Sequence, residues 1–155
     1  MAGYILELRK IVGHRPLIQT GASVLVEDSE GRVLLQLRHD NHCWGYPGGS
    51  MEIDEELEDT ARRELFEETG IVAEELELFG VFSGKALHYV YPNGDEVSNV
   101  DIVYLCDDYD GDLRCQAEEV EELRFFEIDK LPDDLWAPVK KTLEKYVESK
   151  KIKNK

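Results

Sequence analysis

The sequence predicts a single domain of mixed α/β class, and three observations carry that expectation. Its 155 residues are 42% hydrophobic, which is the size and apolar content of one domain with its own core. Apolar residues recur at helical spacing in three segments, with short β-branched runs between them. Tight polar turns join most of those runs, so hairpins should dominate and the sheet should be mixed rather than all parallel.

Taken in order, Tyr4–Val12 place Ile5, Leu8, Ile11 and Val12 at helical spacing, and His14-Arg-Pro16 ends that segment. Ala22–Glu27 and Arg32–Arg38 are aliphatic and β-branched runs about the turn Asp28-Ser-Glu-Gly31, which reads as a hairpin. His39–Ser50 form a loop rich in Gly, Asn and aromatic residues. Glu55–Thr69 read as a helix ended by Gly70, a residue suited to the left-handed position that follows a helix. Strand signals come next at Leu76–Ser83, His88–Tyr91, Val97–Cys106 and Leu123–Ile128. Pro92-Asn-Gly94 joins the middle pair as a second hairpin. From about Asp134 to Ser149 the sequence reads as a closing helix. The domain is therefore expected over residues 1–149, with Lys150–Lys155 a solvated Lys-rich tail.

Composition narrows the function. With 34 acidic and 18 basic residues the formal charge is −16, which disfavours a protein that grips nucleic acid or an anionic membrane by bulk positive charge. Small phosphorylated ligands stay open, because a metal can mediate between acid and phosphate. No apolar run approaches the ~18 residues of a membrane span, and the N-terminus lacks the pattern of a signal peptide. Cys43, Cys106 and Cys115 have no paired spacing, so free thiols and a cytoplasmic location are expected.

The informative segment runs from Gly48 to Ile71. Between Glu52 and Glu75 there are eleven acids, opposed only by Arg62 and Arg63. At ~100° per residue, setting Glu64 at zero puts Glu68 at about 40° and Glu67 at about −60°. Leu57, Ala61 and Leu65 fall at about 20°, 60° and 100° on the same wheel. The three carboxylates therefore stand at the margin of the apolar stripe rather than on the solvent side. Gathered there they repel one another unless something positive compensates them. Arg63 can offset one charge, and a hard divalent cation taking oxygen ligands can offset the rest. Gly48-Gly49, just upstream, lets backbone come close to a ligand and could offer a carbonyl oxygen.

Gly49, five residues, Glu55, seven residues, then Arg63-Glu64-Leu65-Phe66-Glu67-Glu68-Thr69-Gly70-Ile71 resembles the complete 23-residue box of the Nudix hydrolase (MutT-like) family. The lead-in Trp44-Gly-Tyr-Pro-Gly-Gly49 is similar as well, and the resemblance covers roughly residues 20–148. One departure is Asp54, where relatives usually carry Gly; it is expected to act as a helix N-cap. The resemblance implies an α/β/α sandwich with a mixed sheet, and Mg²⁺- or Mn²⁺-dependent hydrolysis of a small nucleoside diphosphate derivative. It implies Glu64, Glu67 and Glu68 as metal-binding, catalytic carboxylates, the Gly48 carbonyl as a further ligand, and Gly49, Glu55 and Arg63 as supports that orient them. An acid ahead of the last strand usually completes such sites. Gln116-Ala-Glu-Glu-Val-Glu-Glu122 offers Glu118, Glu119, Glu121 and Glu122, with Glu119 favoured as catalytic. Trp44 and Tyr46 could stack on a base or ribose, and Arg38 could hold a phosphate.

Positions 86 and 87 are Ala and Leu, where relatives acting on ADP-ribose carry a Pro. Tyr89 meets a loose mark of dinucleoside polyphosphate hydrolases. The N-terminal helix could serve a homodimer. A rival within the fold is a nucleotide-binding sensor that does not hydrolyse, but such proteins usually lose box carboxylates and this chain keeps them. Asp108-Tyr-Asp-Gly-Asp112 with Glu119 imitates a calcium loop but has Leu113 where Gly is needed. Gly80–Lys85 is one residue short of a phosphate loop and is followed by Ala86.

Overall fold

The computed structural model describes residues 3–116 and 118–153. Its elements, in chain order, are α1 (Tyr4–Val12), β1 (Leu17–Val26), β2 (Val33–Arg38), β3 (Trp44–Gly45), β4 (Gly48–Ser50), α2 (Leu57–Thr69), β5 (Val72–Ala73), β6 (Glu77–Phe82), β7 (His88–Val90), β8 (Glu96–Cys106), β9 (Tyr109–Asp110), β10 (Val120–Phe126) and α3 (Ala137–Lys153). A single 3₁₀ turn, Lys85–Leu87, precedes β7.

The two longest strands make the centre of the main sheet. β1 and β8 run parallel, in register from Leu17–Val97 to Val26–Cys106. β4 is antiparallel to the other edge of β1, and β6 and β7 are both antiparallel to β8. The sheet is mixed, as the balance of hairpins and helices predicts. Because strand side chains alternate, Ala22, Val24 and Val26 face one way with Ile102, Tyr104 and Cys106, and pack beneath Ala61 and Leu65 of α2. Leu25 and Val103 face the other way and are covered by Val139, Leu143 and Tyr146 of α3. The result is an α/β/α sandwich with one core on each side of the sheet.

The first expected hairpin is not one. The Asp28–Gly31 turn forms, with Asp28 N–H donating to the Arg32 carbonyl at 3.0 Å, but Glu27–Val33 is a lone bridge. Beyond it β2 leaves the main sheet and pairs antiparallel with β10 and β3. The reason is occupancy: β8 and β4 already hold both edges of β1. The second hairpin does form, through Tyr91–Asp95 and Gly94–Tyr91 backbone bonds.

Two further differences concern helix ends. Asp54 does not cap α2, which starts at Leu57 behind Glu56. Asp54 instead adopts a left-handed backbone, φ 63°, the conformation for which Gly is best suited. At the other end of the chain, α3 continues to Lys153, so residues 150–153 are helical rather than a loose tail. Lys150 pairs with Glu27, which also accepts the Tyr146 hydroxyl, and this anchors the last turn to the end of β1. α1 buries none of its residues. It is tied down by Arg9, whose guanidinium donates to the carbonyls of Arg15 and Glu96 at 2.6 Å each.

Candidate active site

α2 and β4 together build an acidic cradle. The helix ends on Gly70 at φ 80°, and its buried face seats Leu65 and Ala61 against β1. That seating turns Glu68 inward, where it is 4% exposed. One Glu68 oxygen accepts the Gly48 N–H at 3.2 Å, and the other accepts the Gln36 amide. Glu64, one turn earlier, lies directly against Gly49, so close that any side chain there would collide with its carboxylate. Glu67 is half-exposed, with its carboxylate 3.6 Å from Arg63. The sequence wheel places all three at the margin of the apolar stripe; in the structure they are graded from buried to open.

Arg63 organises this edge. It makes a paired bond to Glu55, at 2.8 and 2.9 Å, and donates to Glu64 at 2.8 Å and to the Ser50 carbonyl at 3.0 Å. Glu55 also accepts the Thr60 hydroxyl at 2.6 Å and the Glu52 N–H at 3.2 Å. With so many donors, led by Arg63, its carboxyl falls to about 2. The opposite holds inside the cradle. Burial raises Glu64, against the pull of Arg63 and with the charge of Glu67 adding to the rise. Burial raises Glu68 well above the usual carboxylate range, partly opposed by Gln36, with the charges of Glu64 and Glu119 pushing further.

Among the described residues no three His, Cys, Asp or Glu side chains already stand in coordinating positions. The donor set nonetheless fits a hard divalent cation: Glu64 and Glu68 are carboxylates in mutual repulsion, and Gln36 keeps a buried carbonyl oxygen without a partner. Of the four acids ahead of the last strand, Glu119 is the one whose charge reaches Glu68. Glu121 is engaged by His42 at 2.9 Å and His39 at 3.4 Å, and Glu122 pairs with Arg124.

Beside Gly48 and Gly49 a cleft opens toward α3, where Pro138 and Val139 of that helix also line it. Arg38 and Tyr46 line it. Trp44 does not, which corrects the expectation that it stacks on substrate. Its ring is 6% exposed and packs edge-on against Phe126 at 4.9 Å, because β3 pairs with β2 and turns it into the core on the α3 side. Trp136 lines the cleft along with Tyr46 and Tyr91, with the Arg38 guanidinium 4.6 Å over its ring. Arg38 also makes a double bond pair with Asp40, at 2.8 and 3.0 Å. Asp101 and Ser23, on paired strands of the cleft wall, escape sequence reading too. A lone acid in an apolar strand looks like the solvent face of an edge, and only the parallel pairing of β1 with β8 brings the two together.

The NUDIX domain model matches residues 17–146. Over 108 residues the chain is 32% identical to an ADP-ribose pyrophosphatase of Methanocaldococcus jannaschii, covering 68% of this chain and 60% of that one. Over 116 residues it is 30% identical to the NAD-capped RNA hydrolase NudC of Mannheimia succiniciproducens, covering 70% of this chain and 40% of that one. The chain thus spans about half the length of these relatives. A solved structure, the MutT NUDIX hydrolase from Burkholderia pseudomallei, superimposes with a TM-score of 0.70 at 30% identity, covering 83% of this chain and 97% of that one.

Proposed function

The chain belongs to the NUDIX domain family, and from that premise we propose that it is a Mg²⁺-dependent hydrolase, also served by Mn²⁺, that cleaves the pyrophosphate linkage of a small nucleoside diphosphate derivative. The observation that carries this reading is Glu68, raised by its burial and further by the charges of Glu64 and Glu119, in a cradle whose edge Arg63 holds. An acid so placed is costly for folding unless a cation compensates it.

In this reading Glu64, Glu67 and Glu68, with the Gly48 carbonyl, hold the metal. A divalent cation there supplies neutralisation of the phosphate oxygens and a lowered pKa for bound water. The chain's own groups do the rest. Glu55 locks Arg63 by two bonds, and Arg63 holds Glu64 at Gly49. Gly48 N–H and Gln36 hold the two oxygens of Glu68. Glu119, at the open side, takes the proton released by the attacking water. Arg38 supplies fixed positive charge beside the acids for the phosphate chain, and Tyr46 and Trp136 border the nucleoside. The two relatives act, by their names, on different molecules, so membership supports the reaction class and leaves the choice of substrate to this chain's own cleft.

The test is a hydrolysis panel with Mg²⁺ and with Mn²⁺, spanning nucleoside triphosphates, 8-oxo-dGTP, ADP-ribose, dinucleoside polyphosphates, NADH and nucleotide sugars. Wild type should cleave at least one class in a metal-dependent way, and Glu68→Gln should lose turnover by ~10²-fold or more. Wild-type turnover in that variant would overturn the assignment of the cradle.

A further inference from the structure

The wall of the cleft changes character along its length. On the α3 side of the sheet, Leu25 and Val103 are fully buried and apolar. Two and four residues back on the same face stand Ser23, Gly21, Asp101 and Asn99, all lining the cleft. Gly21 is in register with Asp101 and Gln19 with Asn99, so two adjacent strands present one polar strip. Asp101 is fixed within it. Ser23 donates its hydroxyl to Oδ1 at 2.7 Å and Tyr46 donates its hydroxyl to Oδ2 at 2.9 Å. A carboxylate offers about four lone-pair sites, so the two hydroxyls set its plane and leave one acceptor site free on each oxygen. Burial raises this carboxyl to about 6, with Ser23 and Tyr46 holding it down, so above neutral pH it is an acceptor only.

The rest of the cleft suits a flat polar ring. Trp136 and Tyr91 add aromatic rings to its lining. A buried polar atom there lacks a partner, the indole N–H of Trp136, and burying such an atom unpaired is unfavourable unless a ligand or water meets it. Asp101 is also tied to the edge that carries the acids: Ser23, which donates to it, is in register with Gly48 of β4, and Gly48 donates to Glu68.

We propose that Asp101 is the specificity-determining residue of the cleft: its clamped carboxylate accepts two parallel N–H donors from a base edge and so selects a purine carrying a ring N–H beside an exocyclic amine, the edge that guanine presents. The inference rests on the reading that phosphates lie at the acids of α2, and it adds which nucleoside the cleft admits. Adenine offers a single exocyclic donor beside a ring acceptor, which would face the carboxylate across like partial charge. Hypoxanthine keeps the ring N–H but lacks the amine, so it isolates one of the two bonds.

Calorimetric titration with guanosine and inosine 5′-monophosphates, in Mg²⁺ above neutral pH, tests this without needing turnover. Wild type should bind the guanosine nucleotide tenfold or more tightly than the inosine one, since a hydrogen bond to a charged group is lost. Asp101→Asn, which keeps the shape but replaces one acceptor by a donor, should bring the two within about twofold. Should that variant fail to fold, Tyr46→Phe frees one oxygen from its clamp and should narrow the ratio in part. Equal binding of the two nucleotides by wild type, a ratio unchanged in Asp101→Asn, or no binding of either at millimolar concentration would each overturn the inference. Failure of the hydrolase reading looks different: the guanosine preference would persist while the hydrolysis panel stayed silent. A panel active in wild type and lost in Glu68→Gln, with no guanosine preference, would sink the inference and leave the reaction class standing.

Discussion

Glu68 is the residue at which stability and chemistry pull apart. Its folded-state pKa is raised by burial and by the charges of Glu64 and Glu119, so the native state favours the protonated form. Without metal, its contribution to stability is greatest below the pKa of an unfolded glutamate and is lost as pH rises toward the folded value. A bound cation competes for the same oxygens with protons and therefore gains as pH rises. The increase in Tm on adding Mg²⁺ should thus grow as pH rises above the ordinary carboxylate range, and Glu68→Gln should reduce that growth while raising the Tm of the metal-free protein. A flat Mg²⁺ response over that rise in pH would contradict the placement of the cation at Glu68. Asp54 makes a smaller point. Its left-handed backbone, φ 63°, costs an L-residue ~1–2 kcal/mol in full, less for Asp. Asp54→Gly should therefore raise stability by up to about 1 kcal/mol in denaturant unfolding, with little change in kcat.

At the scale of elements, the decisive fit is between α2 and β4. Glu64 occupies the space a side chain at Gly49 would need, so Gly49→Ala must push helix and strand apart or swing Glu64 out of the cradle. We expect turnover to drop by about 10-fold or more with the fold retained, because misplacing a catalytic group by an ångström can cost 10²-fold; unchanged kcat/KM in Gly49→Ala would show that Glu64 acts from elsewhere. This part of the site was legible beforehand. The 3.6-residue phase of Leu57, Ala61 and Leu65 fixes where Glu64 and Glu68 must point, and Gly70 fixes where the helix stops. Strand pairing was not legible. Nothing in Ala22–Glu27 or Arg32–Arg38 says that an eleven-residue partner, β8, will take the edge of β1 that a hairpin partner would use. For the same reason Asp101 and Trp136 went unread. One lies in a strand whose partner is distant in sequence, and the other at the start of a helix whose seat depends on the completed sheet. Trp44, chosen for its chemistry, is spent on packing because two-residue β3 faces it inward.

For the molecule as a whole, the sheet separates two working surfaces. The α2 side carries the acids, and the α3 side carries the polar strip with Ser23 and Asp101. Gly48, Gly49 and Gln36 line the cleft and also meet the acids. The charge of −16 surrounds this arrangement with a field that draws cations and weakens the approach of free phosphates, so a metal–nucleotide complex is the form best suited to reach the cleft. The long parallel ladder has a further meaning, one of timing. Leu17 pairs with Val97 and Val26 with Cys106, a separation of 80 residues in each case. A chain emerging from the ribosome can coil α2, with the whole acidic box in place, while the strand that must lie beside β1 does not yet exist. Until β8 arrives, Ser23 has no Asp101 to bind and the acids have no cleft to serve. Refolding should accordingly be slow for a domain of this size, in the millisecond-to-second range of folds with many non-local pairings. A stalled chain ending at residue 95 should show helix without nucleotide binding. During that interval the box is a strip of uncompensated charge on an unfinished sheet, and its own repulsion helps keep the apolar runs beside it from meeting those of a neighbouring chain.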